Sequence, residues 1–197
     1  MKLLLIRHGA TPGNLKKQYI GSTDQPLAPE GIAQARERFL SLSETERLWC
    51  SPMLRAKQTA ELLYPGIQPV LLEGLRELDF GLCEGKTWEQ IHDPAIYDHW
   101  LAEEPEAAFP GGEPFGAFSS RITAALSQIA EESRAFHLSR GAVVAHGGTI
   151  MMMLSRHGSP KRGYFQWGCR PCGGFAAKFD PETLELQVLE RLEGGPI

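Results

Sequence analysis

The chain has 197 residues, 42% of them apolar and 22% charged, which is enough for one domain that buries roughly 70% of its unfolded surface without disulfide or metal staples. Its 20 Lys and Arg against 24 Asp and Glu leave a net charge of −4, which excludes a nucleic-acid binder held by bulk charge but not a small basic pocket. No apolar run approaches the roughly 20 residues of a membrane span, and the stretch from Leu3 to Ile6 meets Arg7 too soon for a signal-peptide core, so a cytoplasmic protein with no membrane partner is expected.

Residues 2–6 are an apolar run ending at charge and glycine, the pattern of a buried strand. Residues 29–41 have helical spacing through Ile32, Ala35, Phe39 and Leu40, with Pro29 in the first turn. A second short strand is expected over 48–50. Pro52 then opens a helix through Leu54, Ala60, Leu62 and Leu63, stopped by Pro65-Gly66. Residues 69–72 read as a third short strand. Regular patterning then weakens, and Trp88, Tyr97, Trp100 and Phe109 stand among Pro, Gly and acidic residues. That stretch is too aromatic for a disordered linker, so an inserted substrate-side segment with one or two short helices is expected over about 85–113. Residues 115–136 return to helical periodicity, with Gly141 as the expected stop. An apolar strand over 142–145, a helix over 149–156 ended by Gly158, and a hairpin of 175–179 with 184–189 around Asp180-Pro181 complete the chain. Strands alternating with helices predict one α/β layered domain over 1–197 with a largely parallel sheet.

Four cysteines are present. Cys50 and Cys83 are isolated and read as small apolar core groups. Cys169 and Cys172 form one C-x-x-C without a second pair at finger spacing, which reads as a turn rather than a zinc or redox site.

Two sites carry chemistry. Arg7-His8-Gly9 follows the first strand, at the edge where open α/β sheets gather functional residues. A neutral imidazole there can act as a nucleophile once its other nitrogen is fixed by a carbonyl, and a neighbouring Arg neutralises an anionic substrate. Ala145-His146-Gly147-Gly148-Thr149 also follows an apolar strand and opens a helix, where backbone N–H groups suit an anion. The same three letters recur in Arg156-His157-Gly158, but at a helix end. There the cations suit the negative terminus and Gly158 reads as the left-handed residue that ends the helix.

With these elements in order, the chain resembles the histidine phosphatase superfamily, the phosphoglycerate-mutase-like fold. The resemblance is carried by Leu5-Ile6-Arg7-His8-Gly9-Ala10-Thr11 followed by Asn14, by Gly21, Asp24, Pro26, Leu27 and Gly31, and by Ser51-Pro52-Met53-Leu54-Arg55-Ala56-Lys57-Gln58-Thr59-Ala60. Arg76-Glu77-Leu78-Asp79-Phe80-Gly81 with Glu84-Gly85, and His146-Gly147-Gly148, complete it. Ala10 departs from the pattern, where relatives usually carry Glu or Gln. The resemblance implies a three-layer α/β/α fold, His8 as the phosphorylated nucleophile, and Arg7, Arg55 and His146 as holders of the phosphoryl oxygens with help from Asn14 and Gly147. It also implies Glu77 as the group that protonates the leaving oxygen and then helps activate water. Two permanent guanidinium charges and a second imidazole can supply what Mg²⁺ supplies elsewhere, so no metal or other cofactor is expected.

Within the superfamily, Gly13-Asn14, Tyr19-Ile20-Gly21-Ser22-Thr23-Asp24, Tyr64-Pro65 and Phe109-Pro110-Gly111-Gly112-Glu113 resemble the α-ribazole-5′-phosphate phosphatases of cobalamin assembly. That implies a small-molecule phosphate ester as partner. Gly21, Trp88 and Trp100 are then candidate substrate contacts, the two rings as stacking surfaces for an aromatic ester. Phosphoglycerate mutase, a broad sugar-phosphate phosphatase and a non-catalytic phosphate-binding module are the alternatives, and a homodimer is left open.

Overall fold

Four consecutive apolar residues from Leu3 to Ile6 leave no polar side for water, so their strand must be covered on both faces. The structure is a computed structural model that describes residues 1–39, 44–91 and 104–195. Its strands are β1 (Lys2–Arg7), β2 (Arg47–Cys50), β3 (Val70–Leu71), β4 (Arg140–Ala145), β5 (Gly158–Ser159), β6 (Gly174–Phe179) and β7 (Leu186–Leu192). Among the described residues they form one sheet of order β3-β2-β4-β1-β6-β7-β5, in which β1, β4, β2 and β3 run parallel and β6 is antiparallel to both β1 and β7.

Alternation along each central strand feeds two cores. Leu3, Leu5, Val143 and Ala145 point to one face, and Leu4, Ile6, Ala142 and Val144 to the other. The second face is covered by α2 (Pro29–Phe39) and α3 (Leu54–Leu63), through Ala35, Ala56, Ala60 and Leu63. The first is covered by α4 (Phe115–Ala135) and α5 (Gly147–His157). Helix α4 buries Phe115, Phe118, Ile122, Ala125, Leu126 and Ile129, a stripe at three- and four-residue spacing. A short α1 (Pro12–Leu15), capped by Thr11, follows β1. The result is the three-layer α/β/α arrangement that the resemblance implied. The chain leaves β1 for α2 on one face and β4 for α5 on the other, so the carboxyl ends of these neighbouring strands form a topological switch point, the usual place for a ligand in such sheets.

Two punctuation signals differ from the sequence expectation. Helix α4 ends at Ala135, not at Gly141: His137 takes a left-handed φ of 51°, Leu138 N donates to Ser133 O, and Gly141 lies inside β4. Trp49 leaves no room there for a side chain, since a Cβ on Gly141 would lie 2.6 Å from its ring. Gly158 does follow α5, but with an extended backbone (φ −75°, ψ 149°) rather than a left-handed turn. It starts β5, and a Cβ would lie 2.3 Å from Leu154 O, so close approach explains this glycine. Residues 40–41, the end of the helix predicted over 29–41, and residues 92–103 of the inserted segment lie outside the described residues. No helix among the described residues is long and apolar enough to cross a membrane.

Candidate active site

The site is built at the carboxyl ends of three neighbouring parallel strands. Strands β1 and β4 pair residue for residue up to Arg7 and Ala145. The next residue of each is His8 and His146, and Ser51 is the next residue after β2. His8 N donates to Ala145 O at 2.9 Å, and Ser51 N to Val144 O at 3.0 Å, carrying the ladder into the site. The two imidazoles stand edge to face with centroids 5.1 Å apart. Both are buried, at 3% and 0% exposure.

Arg55, in the first turn of α3, lies between them and is wholly buried. Its Nε donates at 3.2 Å to His8 Nε2 and at 3.2 Å to His146 Nδ1. A guanidinium only donates, so both receiving nitrogens must carry lone pairs. That fixes the two tautomers. His8 holds its proton on Nδ1 and gives it to Gly9 O at 2.7 Å; His146 holds its proton on Nε2 and gives it to Ser51 Oγ at 2.7 Å. Burial, followed by the nearby Arg55 and Arg7 charges, holds the His8 pKa well below its usual value, against a raising effect of the Gly9 carbonyl. Burial and then Arg55 act the same way on His146. Both rings are therefore neutral at pH 7.

The other Arg55 donors go to backbone. Nη1 reaches Thr23 O at 2.9 Å, and Nη2 reaches Gly21 O at 2.9 Å and Ile20 O at 3.4 Å. Burial pulls the Arg55 pKa down, and Glu77, Asp24 and Glu84 oppose it. Asp24 Oδ1 also accepts from Leu54 N at 2.8 Å, capping the helix that carries Arg55, whose Met53 N-cap offers no side-chain bond. The 20–23 loop is held in turn by Glu84, whose carboxylate accepts from the backbone N–H groups of Gly21, Ser22, Thr23 and Phe80. A Cβ on Gly21 would lie 1.8 Å from Leu78 O, so only glycine fits where this loop crosses the 78–84 segment.

Arg7 enters from the other side. Its Nη1 donates to Cys169 O at 2.6 Å, while its buried Nε meets no acceptor among the described residues. A buried guanidinium donor without an acceptor suits an anion. The C-x-x-C segment seats this strand end: Cys172 N donates to Arg7 O and His8 O. Both thiols are buried, and burial pushes Cys172 up to about 12. No cluster of three or more His, Cys, Asp or Glu among the described residues could hold a metal ion. Gly147 opens α5 beside Arg7, and a Cβ there would lie 3.5 Å from its guanidinium carbon.

Glu77 lies on an irregular strap after the 3-10 turn Glu73–Leu75. Its carboxylate accepts from Gly148 N at 2.8 Å, at the amino end of α5, and from Leu78 N at 3.0 Å. The structure thus brings Arg7, His8, Arg55, Glu77, His146 and Gly147 together at the carboxyl ends of β1 and β4. Asn14 is adjacent in chain, but its Oδ1 closes the α1 capping box by accepting from Thr11 N at 3.1 Å. Gly21 contributes backbone to Arg55. Trp88 is half-exposed on a 3-10 turn beyond the Gln18–Thr87 bridge, and Trp100 lies outside the described residues. Ser51 and Glu84 carry contacts that the sequence reading did not assign. Ser51 alone offered a local signal, a hydroxyl at the carboxyl end of a central strand.

This fold and histidine pair define a class. A profile of the histidine phosphatase superfamily (branch 1) matches residues 3–191, and the chain belongs to that superfamily of phosphatase enzymes. It is 30% identical over 167 residues to the adenosylcobalamin/α-ribazole phosphatase of Salmonella typhimurium strain LT2, with 79% of each chain covered. It is 32% identical to the Escherichia coli K12 protein of the same name, over 79% of this chain and 78% of that one. It superposes on a crystal structure of phosphoglycerate mutase from Thermus thermophilus with TM-score 0.76 and 34% identity, covering 98% of each.

Proposed function

We propose that this phosphatase hydrolyses a small phosphate monoester through a phosphohistidine at His8, with α-ribazole 5′-phosphate as its substrate. The observation that carries the mechanism is the fastening of His8 Nδ1–H to Gly9 O, which leaves the Nε2 lone pair beside the Arg55 guanidinium. A phosphoryl oxygen takes over the Arg55 Nε–H that the two imidazoles now accept, and another meets Arg7 Nε–H. Nε2 attacks phosphorus and the ester P–O bond breaks. Glu77, in its protonated form, gives its proton to the leaving oxygen, and the alcohol departs. Water then attacks phosphorus, its proton passes to Glu77, the N–P bond breaks and inorganic phosphate leaves. The two guanidinium charges stabilise the equatorial oxygens in both steps.

The substrate assignment rests on the names of the relatives and on a half-exposed Trp88 suited to stacking an aromatic ester. Turnover of an aryl phosphate with EDTA present, in wild type and His8→Ala, tests the mechanism: undiminished turnover in the variant overturns it. A panel of α-ribazole 5′-phosphate, 3-phosphoglycerate and fructose phosphates tests the substrate. A much higher kcat/KM for the first is expected, and equal values reject it. The Thermus similarity makes mutase activity the second reading; interconversion of 2- and 3-phosphoglycerate without phosphate release would establish it instead.

A further inference from the structure

Glu77 has no sheet or helix to hold its backbone. The strap over 74–77 has only the single 3-10 turn Glu73–Leu75 at its start, so its carbonyls need partners from elsewhere. Thr149 Oγ1 serves Leu75 O and Arg76 O. Arg121, on the long helix α4, supplies the rest. Its Nη1 donates to Gly74 O at 3.0 Å and Arg76 O at 2.7 Å, and its Nη2 to Glu77 O at 2.9 Å. Nε and Nη2 reach the two Glu113 carboxylate oxygens, each at 2.7 Å. The five N–H groups of one guanidinium match these five bonds. The Phe118 ring lies 4.7 Å from its carbon. Glu113 is itself tied to the strap, through Glu113 N to Asp79 O at 3.0 Å.

The acid is therefore held at two points: its carboxylate by the amino end of α5, and its main-chain carbonyl by Arg121. We propose that Arg121 is the positioning residue for Glu77, fixing the strap against α4 so that the carboxyl group meets the leaving oxygen. This rests on the reading of Glu77 as the general acid. A plain fold-holding ion pair would make the same contacts, but its loss would slow all esters alike. Loss of acid positioning slows only those whose leaving oxygen needs a proton. A lysine cannot replace the fork, because one ammonium cannot span three carbonyls and a carboxylate.

The test is kcat/KM, which reports the first transfer, on an alkyl phosphate and on 2,4-dinitrophenyl phosphate, whose leaving group departs without a proton. Glu77→Gln is expected to lose about 10²- to 10⁴-fold on the alkyl ester and little on the dinitrophenyl ester. Arg121→Gln and Arg121→Lys are expected to lose about 10- to 100-fold with the same selectivity. Arg121→Gln placed in the Glu77→Gln background is expected to add little on the alkyl ester. Equal losses on both esters, or none on either, overturn the proposal. If Glu77→Gln shows no selectivity, the acid assignment fails and the proposal falls with it; if only Arg121→Gln lacks it, the proposal alone fails. Should Arg121→Gln not fold, Glu113→Gln, which removes the charged half of the clamp, is expected to show the same selectivity at smaller size, and unselective loss there overturns the proposal.

Discussion

His8 and His146 occupy equivalent places, each the first residue after a central parallel strand, each followed by glycine, each sharing the Arg55 Nε–H. What separates them is the nitrogen that is tied down. His8 ties Nδ1 to the carbonyl of the very next residue, so Nε2 carries a lone pair toward Arg55 Nε. His146 ties Nε2 to Ser51, just past the neighbouring strand, and turns Nδ1 toward the guanidinium. Two similar motifs thus tie down opposite ring nitrogens, by one hydrogen bond each. In the proposed mechanism the His8 lone pair is the one that attacks. His146, fixed through Ser51, there binds the phosphoryl group and takes up a proton when a dianion arrives.

The sharpest way to break this contrast is to remove each ring. His8→Ala is expected to reduce kcat/KM by about 10⁴-fold or more and to abolish covalent labelling by a radiolabelled phosphate ester. His146→Ala is expected to cost about 10²- to 10³-fold while leaving slow labelling of His8 intact. Equal losses with no label in either would erase the difference in roles. Ser51→Ala leaves the His146 Nε2–H without its acceptor; a stability loss of about 1–3 kcal/mol in denaturant titration is expected, with a smaller effect on rate. A further expectation concerns acid stability. Both rings stay neutral in the fold with pKa values below 6.5. Below that pH the unfolded chain binds protons that the native protein does not. Stability is therefore expected to fall on acidification from about pH 6.5 down to the native pKa values, by up to about 1.4 kcal/mol per pH unit for each ring. Thermal melts from pH 8 to 5 check this, with a shallower slope expected for His146→Gln.

The parts of the site carried by regular elements were legible in the sequence. The apolar runs before His8 and His146 announced buried strands, whereas the glycine after His8 is required by packing, since a Cβ there would lie 2.6 Å from Gly31 O. Glu77 was different: no local pattern marks it, and only the resemblance pointed to it. Its place depends on Arg121, 44 residues further along, and on Gly148, where a Cβ would lie 2.4 Å from its carboxylate. Glu84 was quoted in a motif without a role, because its work is to gather amides of a loop more than 60 residues away. Gly141 and Gly158 misled because glycine ends helices and also admits close neighbours, and only packing tells the two uses apart.

The residue-for-residue pairing of β1 with β4 has a consequence for how such a site can change. The separation of the two rings is a lattice constant of the sheet, since a slip of one residue would turn one imidazole to the opposite layer. Loop insertions cannot stretch that gap or close it. New specificity has to be written in the parts that lean over the strand ends, while the histidine pair underneath stays as the backbone spaced it.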